Sequence, residues 1–153
     1  MRHVEYAYTE GMDEAEIERR LRETGTGVLA FPGGPDAHAV PVAHHYEDGS
    51  LYFRLGLTEA GGKRARLAAD GEACYVVYGT AATDAAREIE SWSVVVRGEL
   101  TVLTGAARER FDTTEINRRF SPIRVFGEAI EDGEVAIVEL APATVTGRAT
   151  AEG

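Results

Sequence analysis

Lysine, cysteine and tryptophan each occur once in the 153 residues, as Lys63, Cys74 and Trp92. A lone cysteine excludes an intrachain disulfide and a cysteine metal cluster, and its setting, Ala73-Cys74-Tyr75-Val76-Val77-Tyr78, reads as a buried packing position. Long apolar runs are also missing. Nothing approaches the about 18 consecutive apolar residues of a membrane-spanning helix, and Met1 to Arg20 carries no apolar core of the secretory kind. These absences lead to the expectation of a cytoplasmic protein. Basic charge is scarce as well, with 16 basic residues against 26 acidic ones and a formal net charge of −10. The arginines are scattered among carboxylates and form no stripe, so the surface field repels a phosphate backbone and argues against nucleic-acid binding.

Of the basic residues fifteen are arginine and one is lysine. A GC-rich coding sequence accounts for that bias, and so does salt adaptation, in which Asp and Glu replace surface Lys. Neither accounts for the lysine that stays, so Lys63 is worth following, although retention by chance explains it too. The length suits one domain, 1–153, with a core of useful size.

Periodicity then divides the chain. Asp13 and Glu16 form a capping-box pattern, Ile17 and Leu21 share one face, and Gly25 offers a left-handed stop, which predicts a helix over 13–24. Val28–Phe31, His38–Tyr46 and Leu51–Leu55 read as strands separated by Pro32-Gly33-Gly34-Pro35-Asp36 and Glu47-Asp48-Gly49-Ser50. Lys63–Ala69 reads as a short helix after a glycine-containing loop. Strands resume at Ala73–Tyr78 and at Ser91–Leu103, whose length suggests a bend near Gly98. One or two short helices are expected within 106–120, with Thr113 or Thr114 as cap, and Val135–Leu140 and Thr144–Arg148 supply the last strands. Six or seven strands joined mostly by tight turns describe a mainly β chain, a closed or nearly closed antiparallel barrel with short helices. Neither GxGxxG nor a P-loop is present.

The chemistry concentrates between His38 and Arg64. Arg54 ends a strand, Gly56 to Gly62 form a glycine loop, and Lys63 and Arg64 open a helix. Such a set can converge on one anion, and phosphate suits all three parts. Spacing alone favours a solvated Arg/Lys cluster, because any short helix can carry Lys-Arg at its start. His44 and His45 are neighbours on a strand, so they point to opposite faces and do not make a joint metal pair. One is expected partly buried and one exposed, in structural roles; the other reading makes one of them a proton donor beside a flavin, or a haem ligand.

The order of these segments resembles a known family. His38-Ala39-Val40-Pro41-Val42, the acidic-glycine turn, Leu51-Tyr52-Phe53, the loop ending in Lys63 and the strand Ser91-Trp92-Ser93-Val94-Val95-Val96-Arg97-Gly98 resemble pyridoxamine 5′-phosphate oxidase-like proteins. The resemblance implies a six- to seven-stranded antiparallel split β-barrel that binds FMN at the interface of a homodimer. It places the backbone of Val40, Pro41 and Val42 along the isoalloxazine, Arg54, Leu55 and Gly56 near the ribityl phosphate, Lys63 and Arg64 on the phosphate, and Ser93 within reach of the flavin. Two departures stand out. The loop before Lys63 is longer than in typical relatives, which leaves open whether Thr58, Gly61 or Gly62 touches the phosphate. Arg118-Arg119-Phe120-Ser121-Pro122-Ile123-Arg124 does not reproduce the arginine- and serine-rich motif of true vitamin B6 oxidases. The implied activity is therefore that of an FMN-dependent oxidoreductase exchanging electrons with small molecules. A nitro- or quinone-reducing enzyme of the nitroimidazole-resistance type, a deazaflavin-using relative, a non-catalytic flavin or haem carrier and an empty barrel are the rivals.

The charge balance carries its own test. Counter-ions screen carboxylate repulsion over about 8 Å at physiological ionic strength and about 3 Å at 1 M. If the missing lysines reflect salt adaptation, the melting temperature rises from low to molar KCl; a flat or falling series leaves codon bias as the cause.

Overall fold

Alternating side chains build the sheet, because successive residues of a strand face opposite sides. Leu51 and Phe53, Tyr75 and Val77, Val94 and Val96, and Ala136, Val138 and Leu140 are all at most 4% exposed and meet in one core. The computed structural model describes residues 9–31, 38–56, 71–82, 89–111, 115, 118–120 and 135–150. Within them the order is β1 (Thr9–Gly11), α1 (Glu14–Glu23), β2 (Thr26–Phe31), β3 (His38–Glu47), β4 (Ser50–Gly56), β5 (Glu72–Ala82), β6 (Ile89–Val102), α2 (Gly105–Glu109) and β7 (Val135–Thr150). The expected helix over 63–69 and the Thr113 and Thr114 caps lie outside the described residues.

Every pairing is antiparallel. Following neighbours around gives β2, β5, β6, β7, β4, β3 and back to β2, a closed six-stranded barrel, with β1 added as a seventh strand along the end of β7. The mainly β barrel expected from the turn pattern is the fold observed. No helix among the described residues is long and apolar enough to cross a membrane.

Helix α1 starts as its sequence announces, with the Asp13 carboxylate accepting from the Glu16 N–H at 2.8 Å. It stops differently. Gly25 does not adopt positive φ; Thr24, in extended backbone, donates both its N–H (3.2 Å) and its hydroxyl (2.7 Å) to the Arg20 carbonyl. Leu21 then reaches the barrel core, and Met12 and Ile17 pack against it. A smaller core lies on the outer face of the sheet, where Ala43, Tyr52 and Ile137 meet Phe111, Phe120 and Leu103 from the segment after β6.

Two further expectations need correction, and one strand, β1, was not expected. Cys74 is half-buried and not in the core, because Ala73 and Tyr75, both 0% exposed, take the inward positions on either side. The two strands expected at 135–140 and 144–148 are one, since Pro142 falls opposite Gly98 where the ladder is already irregular. β1 carries too few residues to show a period of its own. The bend near Gly98 is present as a register shift between Arg97 and Gly98.

Glycine is required at that bend by a close approach: a Cβ on Gly98 would lie 2.2 Å from the Ala141 carbonyl oxygen. Gly98→Ala is predicted to lower unfolding free energy by about 1–3 kcal/mol, the usual range for overpacking. Gly11→Ala, with nothing within 4 Å of the added atom, serves as the control and should stay within about 0.5 kcal/mol of wild type. Urea unfolding midpoints of both variants check this.

Candidate functional site

β3 and β4 leave their hairpin as partners and then separate. The turn is Asp48-Gly49, with φ of 51° and 82°, the two-residue geometry that matches strand twist. Pairing runs from Glu47↔Ser50 to His44↔Phe53 and ends there. Beyond it β3 stays with β2, from Ala43↔Thr26 to His38↔Phe31, while β4 stays with β7, from Arg54↔Ile137 to Gly56↔Val135. Among the described residues no strand bridges the gap.

Backbone alternation shows what lines it. The His44 N–H donates to the Gly25 carbonyl at 2.9 Å, so the next hydrogen-bonded positions toward β2 are Val42, opposite Gly27, and Val40, opposite Leu29. Ala39, Pro41 and Ala43 therefore turn their backbone groups into the gap. Counting from the Glu47–Ser50 pair that closes the turn, Arg54 and Gly56 do the same from β4. Pro41 has no N–H, and here it interrupts no ladder bond. The gap thus offers carbonyls from both strands together with the N–H groups of Ala39, Ala43, Arg54 and Gly56.

The expected site residues fall into three groups. Val40, Pro41 and Val42 stand across the gap from Arg54, Leu55 and Gly56, and the backbone groups of Val40 and Val42 are turned to β2. Lys63 and Arg64 lie outside the described residues. Ser93 does not join the gap in the ladder: it is on β6, three strands from β3 in either direction, between Tyr78 and Arg148. Ala39 and Ala43 are lining residues that sequence reasoning missed. The signal was Pro41 itself, since a proline inside a strand marks the side whose backbone groups are not bonded to a neighbour.

The two histidines do face opposite ways. His44 is inside the barrel at 2% exposure, with Nε2 at 3.0 Å from the Leu21 carbonyl and Nδ1 at 2.5 Å from the Tyr75 hydroxyl. Both ring nitrogens are engaged, so His44 offers nothing to a flavin or a haem. His45 is on the outer face, where its Nε2 lies 3.0 Å from Glu47 Oε1 and 3.1 Å from Arg119 Nη1.

Glu47 is the hub of that outer face. It accepts from Arg119 at 2.5 Å and has Arg110 at 3.8 Å; the His45 hydrogen bond, then those of Arg119, hold its carboxyl below the ordinary value of 4.5 against partial desolvation. Glu115 takes the other side of Arg119 at 2.5 Å and Arg118 at 3.1 Å. Arg110 also lies over the rings of Tyr52 (5.3 Å) and Phe111 (4.9 Å). These contacts fasten the residues after β6 onto the outer faces of β3 and β4.

Comparison with known proteins agrees with this architecture. The sequence model of the family described as pyridoxamine 5′-phosphate oxidase matches residues 13–149. No curated protein matches the chain. Among solved structures, the FAD binding protein from Mycobacterium smegmatis is 19% identical with a TM-score of 0.65, over 94% of this chain and 100% of that one. The FAD and heme binding protein from the same organism is 14% identical with a TM-score of 0.63, over 95% and 74%. A Bacteroides thetaiotaomicron protein put forward as a 5-nitroimidazole antibiotic resistance protein is 16% identical with a TM-score of 0.67, over 92% and 87%. At these identities the structural likeness shows the fold, and the sequence match over 13–149 shows the family: this chain belongs to the pyridoxamine 5′-phosphate oxidase family.

Proposed function

We propose that this chain is an FMN-binding flavoprotein, an FMN-dependent oxidoreductase of the cytoplasm that is not a vitamin B6 oxidase and in which residues 1–153 act as one cofactor domain. The observation that carries the reading is the gap between β3 and β4. An isoalloxazine edge alternates hydrogen-bond acceptors with an N–H donor, and the gap presents both kinds of backbone group, from Ala39, Pro41 and Ala43 on one side and Arg54 and Gly56 on the other. The residues therefore fit the group.

When bound, the flavin supplies the electron-transfer chemistry. The protein's part is to bind and orient. The β3 edge holds the ring, with Pro41 keeping a further strand from adding there. Arg54, Leu55 and Gly56 follow the chain toward its phosphate, and Lys63 and Arg64 neutralise that phosphate. Relatives of the same fold are named as FAD-binding proteins, so FMN rather than FAD rests on the Lys63-Arg64 reading. The departure of Arg118-Arg119-Phe120-Ser121-Pro122-Ile123-Arg124 from the B6-oxidase motif supports a substrate other than a B6 phosphate.

A homodimer completes the proposal. Ser93 stands three strands from the β3 edge of its own gap, so a second copy is what would bring a Ser93 to the flavin. Val28 and Tyr78, 38% and 67% exposed on the outward side of the sheet, supply apolar area for that contact. A nitro-reducing activity is the second reading, favoured by the shared fold with the 5-nitroimidazole resistance protein.

Lys63→Ala tests the phosphate anchor. A hydrogen bond to a charged group contributes about 1.5–3 kcal/mol, so FMN affinity should fall roughly ten- to a hundredfold while the barrel stays folded. Riboflavin, which lacks the phosphate, should bind wild type weakly and lose little more in the variant. Titration of apo protein by flavin fluorescence at fixed salt reads both. Equal losses for the two ligands would return Lys63 to a structural role, and mass spectrometry of the ligand released from purified protein separates FMN from FAD.

A further inference from the structure

Tyrosines apart, His44 is the buried polar residue of the barrel among the described residues. Three bonds meet there and they fix its state. The Leu21 carbonyl can only accept, so Nε2 carries the ring proton; Nδ1 is then the acceptor, and the Tyr75 hydroxyl donates to it. The His44 backbone N–H donates to Gly25. Leu21 lies in the last turn of α1 and Gly25 follows its cap, so this one residue ties the end of the helix to the barrel wall.

The arrangement suits a neutral imidazole only. A proton added to Nδ1 makes it a donor, and the Tyr75 hydroxyl proton must then turn away. Little room exists for that. Tyr75 packs edge-on against Phe53 at 4.7 Å between ring centroids, and its hydroxyl fills the space that a side chain at Gly27 would take. A unit charge would arrive in the barrel interior at the same time.

We propose that His44 is a proton-operated latch: neutral, it holds the last turn of α1 against the barrel, and protonated, it lets that turn go. The latch does not depend on flavin binding. Few ionisable groups surround it. β5 presents Tyr75, and β3 itself carries His45, whose charge would add repulsion. On α1, Glu18 is bonded to the Tyr46 hydroxyl at 3.2 Å and Arg20 lies over Trp92 at 4.6 Å. β2 and β4 face it with Gly27, Leu29 and Phe53.

Burial lowers the His44 pKa from 6.5, more than the bond to the Leu21 carbonyl raises it. The detached form therefore takes up its proton first as pH falls. Attachment is complete above 6.5 and weakens progressively below it.

Amide exchange of residues 17–24, corrected for intrinsic rates, followed from about pH 7.5 to about pH 5 with NMR titration of the His44 ring, tests the latch. In wild type, α1 protection should hold down to 6.5 and then fall relative to β6 by up to about tenfold per pH unit. His44→Gln keeps a donor to Leu21 and an acceptor for Tyr75 without titrating, and its protection should stay flat. Tyr75→Phe removes the donor to neutral Nδ1 and should leave the onset at 6.5, which the detached form sets, while making the loss of protection below it smaller, which keeps the test decisive if His44→Gln does not fold. Flat protection in wild type, a His44 ring titrating at or above 6.5, or an undiminished loss of protection in Tyr75→Phe would overturn the proposal.

Discussion

Beyond Phe53, β4 could remain with β3 or follow β7, and it follows β7 while β3 keeps β2. That separation leaves two strand edges facing each other within one barrel. Unpaired edges usually invite another strand. Here Pro41 removes a donor from one edge, so a further strand would find one ladder bond fewer there. The surrounding structure keeps the fork in place. His44, the last residue of β3 opposite β4, is bonded to β5 and α1; Ala43 lies under the outer core with Tyr52 and Ile137.

Electrostatics divides the cations by task. On a chain of net charge −10, arginines near carboxylates become part of the fold. Arg110, Arg118 and Arg119 gather on Glu47 and Glu115 and hold the segment after β6. Arg20 stacks on Trp92, whose indole occupies the space where Gly79 has no side chain, a Cβ there lying 2.5 Å from Nε1. In the proposed site the phosphate falls to Arg54, Lys63 and Arg64.

Much of this was legible in the sequence because it follows from local chemistry. The Asp13 cap, the Asp48-Gly49 turn, the bend at Gly98 and the opposite directions of His44 and His45 depend on residues close to one another in sequence. What was hidden depends on partners far along the chain. Two strands were expected at 135–140 and 144–148, and only the place of Pro142 opposite Gly98 explains their continuity. Gly25 suggested a left-handed stop, whereas Thr24 satisfied the Arg20 carbonyl first. The site shows the same division. Pro41 and Arg54 were visible as a family-like pattern, but the contribution of Ala39 and Ala43 required the ladder's phase, and the distance of Ser93 required the strand order.

Residue-resolved amide exchange with and without FMN tests the central claim that the ligand lies in the gap between β3 and β4. The account predicts slowing at Ala39, Ala43, Arg54 and Gly56, whose N–H groups face the gap, with little change at Val40 and Val42, already bonded to β2. FMN-dependent slowing elsewhere with none at those four residues would contradict it.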